Sequence, residues 1–127
     1  MSEPIRVVLV EDNDVFREAL ELLLGLRPDM TVVASFPDGA AAAAAAPSLR
    51  PDVVVMDYRL PGLDGVQATR AVLEAYPHAA VVCLSASANL RERDALLEAG
   101  AVACLSKDEG LEAIAEAILA AAPPAAA

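Results

Sequence analysis

Five short apolar runs recur along the chain, and segments with helical spacing separate them. The runs are IRVVLV (5–10), TVVASF (31–36), VVVMD (53–57), AVVCLS (80–85) and AVACLS (101–106). Strand–helix alternation repeated five times predicts a parallel sheet that is covered by helices on both faces. Because crossovers between parallel strands are right-handed, the pattern favours a doubly wound, five-stranded α/β domain.

Apolar spacing and capping residues locate the helices between these runs. After the first and third runs, apolar positions fall on one helical face at Phe16, Ala19, Leu20, Leu23 and Leu24, and at Val66, Thr69, Val72 and Leu73. Asn13 and Asp108 are suited to cap helix starts. Pro123 breaks the last helix, so residues 1–122 are expected to form the domain and residues 123–127 the start of a linker or tail.

Charge and hydropathy exclude several classes of protein. The net charge of −10 argues against nucleic-acid binding by this domain, since such binding needs clustered Lys and Arg. No stretch of about 18 uncharged apolar residues is present, which argues against a membrane span. The start, MSEPIRVV, lacks a basic segment followed by an apolar core, so we expect a cytoplasmic protein.

The two cysteines, Cys83 and Cys104, lie inside the fourth and fifth apolar runs. Free cysteine packs as a small hydrophobic residue, so both are expected to be buried, reduced thiols. The chain offers no His or Asp at ligand spacing beside them, which argues against a zinc site.

Polar residues collect where the predicted strands end. Glu11 and Asp12 follow the first strand, Asp57 ends the third, Ser85 ends the fourth, and Lys107 follows the fifth. Ligands of open parallel sheets bind beyond the carboxyl ends of the strands. We therefore expect three carboxylates, one hydroxyl and one ammonium group at a single edge.

This set of groups has a chemical interpretation. Crowded carboxylates resist ionisation unless a cation lies between them, and oxygen-only ligands suit Mg²⁺. An aspartate can act as a nucleophile and form an aspartyl-phosphate, for which Asp57 is the candidate. Lys107, the only lysine in the chain, could contact a phosphoryl oxygen as a compact positive charge.

The motifs LVEDND, VVVMDYRLPGLDG, VVCLSAS and GAVACLSKD, in this order, resemble those of receiver domains from bacterial two-component response regulators. The resemblance covers about residues 4 to 122. It implies a flavodoxin-like fold with strand order 2-1-3-4-5. It also implies that Asp57 accepts a phosphoryl group from a phosphohistidine on a sensor histidine kinase.

The same resemblance assigns roles to the other site residues. Asp12 would bind Mg²⁺ directly, Glu11 would act through water, and the backbone carbonyl of Arg59 would also coordinate the ion. Ser85 would contact the phosphoryl group, as would Lys107. Ala86, which is small, would leave room for the phosphoryl donor.

Two departures from the family pattern stand near the lysine. Cys104 takes a position that is often aromatic, and Asp108 follows the lysine where proline is common. The LSKD form is most similar to receivers that are joined to a helix-turn-helix DNA-binding domain, which implies control of transcription. The fourth and fifth helices would offer a surface for a homodimer.

Three other functions compete with this interpretation. A flavodoxin-like cofactor binder would need phosphate-binding glycine, serine or threonine after the first strand, where EDND presents carboxylates. A hydrolase with an aspartate nucleophile would carry a second acid at the position of Arg59. The alternative closest to the expected function is a receiver that acts as an unphosphorylated interaction scaffold, rather than any enzyme.

Overall fold

The computed structural model describes residues 3–85 and 90–123. The strands are β1 (Ile5–Val10), β2 (Met30–Phe36), β3 (Val53–Asp57), β4 (Ala80–Ser85) and β5 (Ala103–Ser106). The helices are α1 (Asp14–Gly25), α2 (Gly39–Leu49), α3 (Gly65–Ala75), α4 (Leu90–Glu98) and α5 (Leu111–Ala121). A single 3-10 turn, Lys107–Glu109, links β5 to α5.

The five strands form one parallel sheet in the order β2-β1-β3-β4-β5, which confirms the predicted doubly wound α/β fold. The strand order reverses at β1, so β1 and β3 lie side by side at the sheet centre. In such folds the crevice for ligands opens beyond the carboxyl ends of these two strands. The fold therefore places the site at the ends of β1 and β3.

Two apolar clusters, one on each face of the sheet, form the core. One cluster lies against α1 and α5 and includes Val7, Leu9, Leu20, Leu24, Ile114 and Ile118. The other lies against α2, α3 and α4 and includes Val8, Val10, Ala42, Met56, Val72 and Leu96. Because successive strand residues point to opposite faces, residues 7–10 of β1 and 53–56 of β3 are buried on both sides and form continuous apolar runs.

The alanine-rich segment forms α2, with Asp38 accepting a hydrogen bond from the Ala41 amide at its start. Ala42 and Ala46 are buried, while other alanines of the helix stay partly exposed. A side chain at Gly39 would collide with Ala68 of α3, so small residues permit the close approach of α2 and α3. Within residues 3–85 and 90–123, no helix is long and apolar enough to cross a membrane.

The helix caps agree with the sequence at one end of the chain and differ at the other. Asn13 caps α1 by accepting from the Phe16 amide at 2.9 Å, as predicted. The prediction for Asp108 was wrong, because that residue lies inside the 3-10 turn. Ser106 caps this turn, and α5 begins after Gly110, which has a φ of 93° and no side chain to offer.

Candidate functional site

Three carboxylates meet at the carboxyl edge of the sheet. Glu11 and Asp12 directly follow β1, and Asp57 is the last residue of β3. A ligating oxygen from each of the three lies within 4.8 Å of the others. Asp57 is 4% exposed and Glu11 is 2% exposed, whereas Asp12 is exposed to solvent. The expected convergence of these three acids is therefore present.

Lys107 reaches into this group from the first position after β5. Its Nζ lies 2.6 Å from Glu11 Oε1 and 3.4 Å from Asp57 Oδ2. The shorter contact is an ion pair without the direction of a hydrogen bond, because Glu11 Oε1 has no well-aligned donor. The ammonium also lies 4.7 Å from the centre of the Phe16 ring, within the range of a cation–π interaction.

Glu11 is the most firmly held of the acids. Its Oε2 accepts a hydrogen bond from the Asn13 amide at 3.1 Å, and its backbone carbonyl accepts from Arg17 Nη1 at 2.8 Å. With Lys107 on its other oxygen, the side chain is fixed below the pocket surface. Sequence reasoning missed this closer pairing of Lys107 with Glu11, since only the folded sheet determines how near the ends of β1 and β5 lie to each other.

The two buried acids, Glu11 and Asp57, differ in pKa, and the proton between them is held by Asp57. Burial is the largest cause that raises the pKa of Asp57 to about 7, and the hydrogen bond and negative charge of Glu11 raise it further against the opposing effect of Lys107. Burial also acts to raise the pKa of Glu11, but the neighbouring Asp57 and Lys107 side chains and the hydrogen bond from the Asn13 amide together lower it. In the metal-free pocket the proton thus stays on Asp57 beside ionised Glu11, and the two acids titrate as a pair.

The donor set fits a hard divalent cation. All three side chains offer oxygen, and the pocket holds two buried acids that a cation would allow to ionise together. Asp12 and Arg59 line the same open groove, together with Tyr58, Leu60, Pro61, Asp64 and Glu92. Arg59 is therefore at the expected edge, two residues after Asp57.

The loop after Asp57 is fixed by backbone contacts that sequence reasoning missed. The Tyr58 amide donates to Leu84 O at 2.8 Å, and the Gly65 amide donates to Tyr58 O at 2.7 Å. A side chain at Gly65 would approach Tyr58 Cα to 2.7 Å and Asp57 O to 2.8 Å. Glycine at this position lets the start of α3 lie directly against the backbone of Asp57. The DG pair in LPGLDG was the available signal.

Ser85 ends β4 as predicted, but its side chain contacts a residue of α4. Its Oγ donates to Glu92 Oε2 at 3.2 Å. Ser85 thus lies at the expected sheet edge with its hydroxyl held by a carboxylate outside the acid cluster. Ala86, the other residue expected on this side of the pocket, lies outside the described residues.

The fold and the acid pocket together define an α/β domain of the flavodoxin-like, doubly wound class. The family model for the response regulator receiver domain matches residues 7–119. The chain belongs to this family, and its expected identification as a receiver domain is confirmed. Receivers of this family typically accept a phosphoryl group on an aspartate.

Known response regulators are similar to this chain in structure and in sequence. The signal receiver domain of the putative response regulator NarL from Mycobacterium tuberculosis superposes with a TM-score of 0.86 and 35% identity, over 93% of this chain and 95% of that one. The transcriptional regulatory protein DegU from Brevibacillus brevis is 33% identical over 90% of this chain and 48% of its own length. The chain therefore spans about half of that relative.

An enzyme also contains a similar segment. A protein-glutamate methylesterase/protein-glutamine glutaminase from Nitrosospira multiformis is 39% identical over 84% of this chain. The match covers 31% of that enzyme. The similarity thus extends over a receiver-sized part of a longer protein.

Proposed function

We propose that this chain is a phosphorylation-controlled switch in which Asp57 accepts a phosphoryl group from a phosphohistidine of a sensor histidine kinase. The observation that carries the proposal is the meeting of Glu11, Asp12, Asp57 and Lys107 at one sheet edge. All the chemical groups needed for phosphoryl transfer are present there, which favours this function over a scaffold role that would not use them.

The reaction forms one bond and breaks another. An Asp57 oxygen attacks the phosphorus, an acyl phosphate forms, and the phosphorus–nitrogen bond to the histidine breaks as the imidazole leaves. Asp57 must be ionised to attack, so the proton that it holds in the metal-free pocket has to leave first. Its pKa of about 7 makes this loss sensitive to any added positive charge.

Mg²⁺, when bound, would neutralise the carboxylates and the incoming phosphoryl oxygens. We assign Asp12 as its direct ligand because this acid is exposed beside the buried pair, with Asp57 and the backbone carbonyl of Arg59 as further ligands. Glu11, which Lys107 and the Asn13 amide already engage, would act through water. We therefore assign direct coordination to the acid whose side chain is exposed and water-mediated coordination to the acid whose side chain already has partners.

Lys107 and Ser85 would stabilise the phosphorylated form. The ammonium already lies 3.4 Å from Asp57 Oδ2, so a phosphoryl group on that carboxyl would come within its reach. The Ser85 hydroxyl could donate to a phosphoryl oxygen by exchanging its bond to Glu92 for a new one. This exchange would connect the chemical event to α4.

The remaining assignments concern the whole protein. We propose residues 1–122 as the receiver domain and residues 123–127 as a linker or tail, with transcription as the output and α4 and α5 as a homodimer surface. The net charge of −10 supports an output that does not involve direct nucleic-acid binding by this domain. As for receivers of this family generally, we propose a cytoplasmic location.

Acetyl phosphate tests the proposal without knowledge of the kinase. Incubation with acetyl phosphate and Mg²⁺ should add one base-labile phosphoryl group, detected by intact mass. Asp57→Asn should take up none, whereas Asp94→Asn, a change at an exposed aspartate of α4, should behave as the wild type. Equal uptake by Asp57→Asn would show that the acceptor is elsewhere.

A further inference from the structure

The only two cysteines of the chain are direct neighbours in the sheet. Cys83 of β4 and Cys104 of β5 are register partners in a parallel pair, so both side chains project from the same face. Neighbouring strands lie about 4.8 Å apart, and disulfides form between Cα atoms about 4.4–6.8 Å apart. The register therefore places the two cysteines at a backbone separation that a disulfide can span, with only a small approach of the two strands.

The two thiols differ in their access to solvent. Cys83 is 0% exposed and belongs to the core cluster under α3 and α4, with its Sγ 3.6 Å from Thr69 Oγ1. Cys104 is only partly buried at the border of that cluster, and its Sγ lies 3.9 Å from the Arg93 carbonyl. The expectation that both cysteines are buried thus holds fully for Cys83 alone. A small oxidant could reach Cys104.

The pKa shifts of the two thiols also favour reaction at Cys104. The hydrogen-bonding interaction between the thiols, with burial added, raises the pKa of Cys83. The same interaction, helped by the charge of Arg93 and opposed by burial, lowers the pKa of Cys104. Because the thiolate is the reactive form, the accessible cysteine is also the more reactive one.

We infer that Cys83 and Cys104 are a peroxide-sensitive dithiol that closes to an intrachain disulfide. The Cys104 thiolate attacks a peroxide oxygen, the oxygen–oxygen bond breaks, and a sulfenic acid and one water form. Cys83 sulfur then attacks Cys104 sulfur, and the hydroxyl leaves as a second water with the Cys83 proton. The two thiols lose two electrons, the peroxide gains them, and a dithiol reductant reverses the step.

The bond would act on the phosphorylation site through the two strands. A disulfide brings Cβ atoms to about 3.8 Å, which is closer than the strand spacing of about 4.8 Å, so β4 and β5 must move together. Ser85 lies two residues beyond Cys83, and Lys107 lies three residues beyond Cys104. Oxidation therefore slows phosphoryl uptake severalfold, an effect that rests on the proposed function of these residues.

Thiol trapping and intact mass test the bond itself. Reduced wild-type protein is treated with hydrogen peroxide, unfolded in an alkylating agent and mapped by peptide mass, which separates cysteine from methionine oxidation. The expected product is a monomer that has lost two hydrogen atoms, resists alkylation at both cysteines and recovers with dithiothreitol. Two alkylatable cysteines, oxygen addition alone, or a disulfide only between two chains would each overturn the inference.

Two single variants are used, so that the test still works if one of them fails to fold. Cys104→Ala changes a partly exposed residue, and Cys83→Ala removes the buried partner, with circular dichroism as the check on folding. Because Cys104 is the thiol that peroxide attacks first, Cys83→Ala should still lose its alkylatable thiol to peroxide, whereas the buried Cys83 of Cys104→Ala should stay alkylatable. Oxidation of Cys83 in Cys104→Ala as fast as in the wild type would contradict the assignment of Cys104 as the attacking thiol.

Phosphoryl uptake from acetyl phosphate supplies a separate readout. Oxidised wild type should take up phosphoryl groups more slowly than reduced wild type, dithiothreitol should restore the rate, and peroxide should leave Cys104→Ala unaffected. If the bond forms with no change in rate, the coupling to Ser85 and Lys107 is wrong. If reduced wild type takes up nothing, the proposed function fails, while the mass experiment still decides the disulfide.

Discussion

The acid pocket and the β4–β5 edge are built in different ways, although both lie at the carboxyl end of the same sheet. Around Asp57, the buried Glu11 and Asp57 carboxylates both contact Lys107, and Glu11 also accepts a hydrogen bond from the Asn13 amide. At the β4–β5 edge, the Ser85 hydroxyl contacts α4, and Cys104 stands where receivers often carry an aromatic ring. The pocket thus consists of charged groups in mutual contact, whereas the edge carries a hydroxyl and a small thiol.

This difference separates two requirements of a switch. Phosphoryl transfer needs positioned charges, and a small change in their distance alters the rate strongly. Transmission needs a part whose free energy differs between two states, and a small thiol offers little difference in packing. We therefore expect substitutions in the pocket to have large effects and substitutions at the edge to have small ones.

The largest expected effect is on ion binding. Asp12→Ala removes the exposed acid that we assign to Mg²⁺, and it should weaken Mg²⁺ binding at least about tenfold, or about 1.4 kcal/mol, because the ion loses a direct carboxylate ligand and its negative charge. A Mg²⁺ titration of phosphoryl uptake measures this. Asp14→Ala, two residues on, is the matched control, since Asp14 pairs with Arg17 on the surface. An unchanged titration for Asp12→Ala would remove it from the metal site.

The second expected effect is that the free energy of unfolding of the metal-free protein depends on pH. Between about pH 4 and pH 7 folded Asp57 keeps a proton that the unfolded chain has released, so the free energy of unfolding should fall as pH rises through this window. The fall should be on the order of 1–3 kcal/mol, reduced by screening from nearby water. The lowered pKa of Glu11 has the opposite effect, since it makes stability fall as pH drops below its ordinary value of 4.5, so it acts only at the acid end of this window.

The Asp57→Asn variant tests directly whether Asp57 causes this pH dependence. Its amide can donate to Glu11 as protonated Asp57 does, at any pH, so metal-free Asp57→Asn should be more stable than wild type at pH 8 and nearly equal at pH 4. Urea denaturation at both pH values measures the difference. A constant difference between the two proteins across this range would show that Asp57 does not hold the proton.

A smaller effect is expected where the pocket meets the edge. Glu92→Gln weakens the acceptor of the Ser85 hydroxyl, which makes Ser85 easier to recruit to a phosphoryl oxygen. A hydrogen bond of this kind is worth about 0.5–1 kcal/mol, so the phosphoryl lifetime should change about twofold to fivefold. Hydrolysis followed by intact mass gives this lifetime. The same change in a Ser85→Ala, Glu92→Gln double variant would mean that Glu92 acts independently of Ser85.

The smallest effect is expected at Cys104 itself. Cys104→Ala, kept under reducing conditions, should take up phosphoryl groups normally and retain any phosphorylation-linked change in self-association. The reason is that the thiol packs almost equally well in either state of the edge. Sedimentation of the phosphorylated and unphosphorylated variant checks this. Loss of the change with normal uptake would show that Cys104 carries the coupling, and the contrast between pocket and edge would fail.

The sequence by itself determined the fold class of this protein and the set of polar residues at the carboxyl edge of its sheet. Apolar runs ending in Asp57 or followed by Glu11 and Lys107 predicted both the parallel sheet and the residues at its carboxyl edge. This was possible because strand periodicity and strand ends are local properties of the chain. The same local reasoning was wrong for Asp108, where a capped 3-10 turn precedes the last helix.

The tertiary structure alone decided how these residues are paired. Lys107 lies closer to Glu11 than to Asp57, Ser85 contacts Glu92, and Cys83 faces Cys104. Each pairing joins strands or helices whose distance and register no local pattern contains. The raised pKa of Asp57 also depends on tertiary structure, because burial and the carboxylate of Glu11, which follows a different strand, cause it. The local sequence determines which side chains lie at the carboxyl edge of the sheet, and tertiary packing determines which of them are in contact.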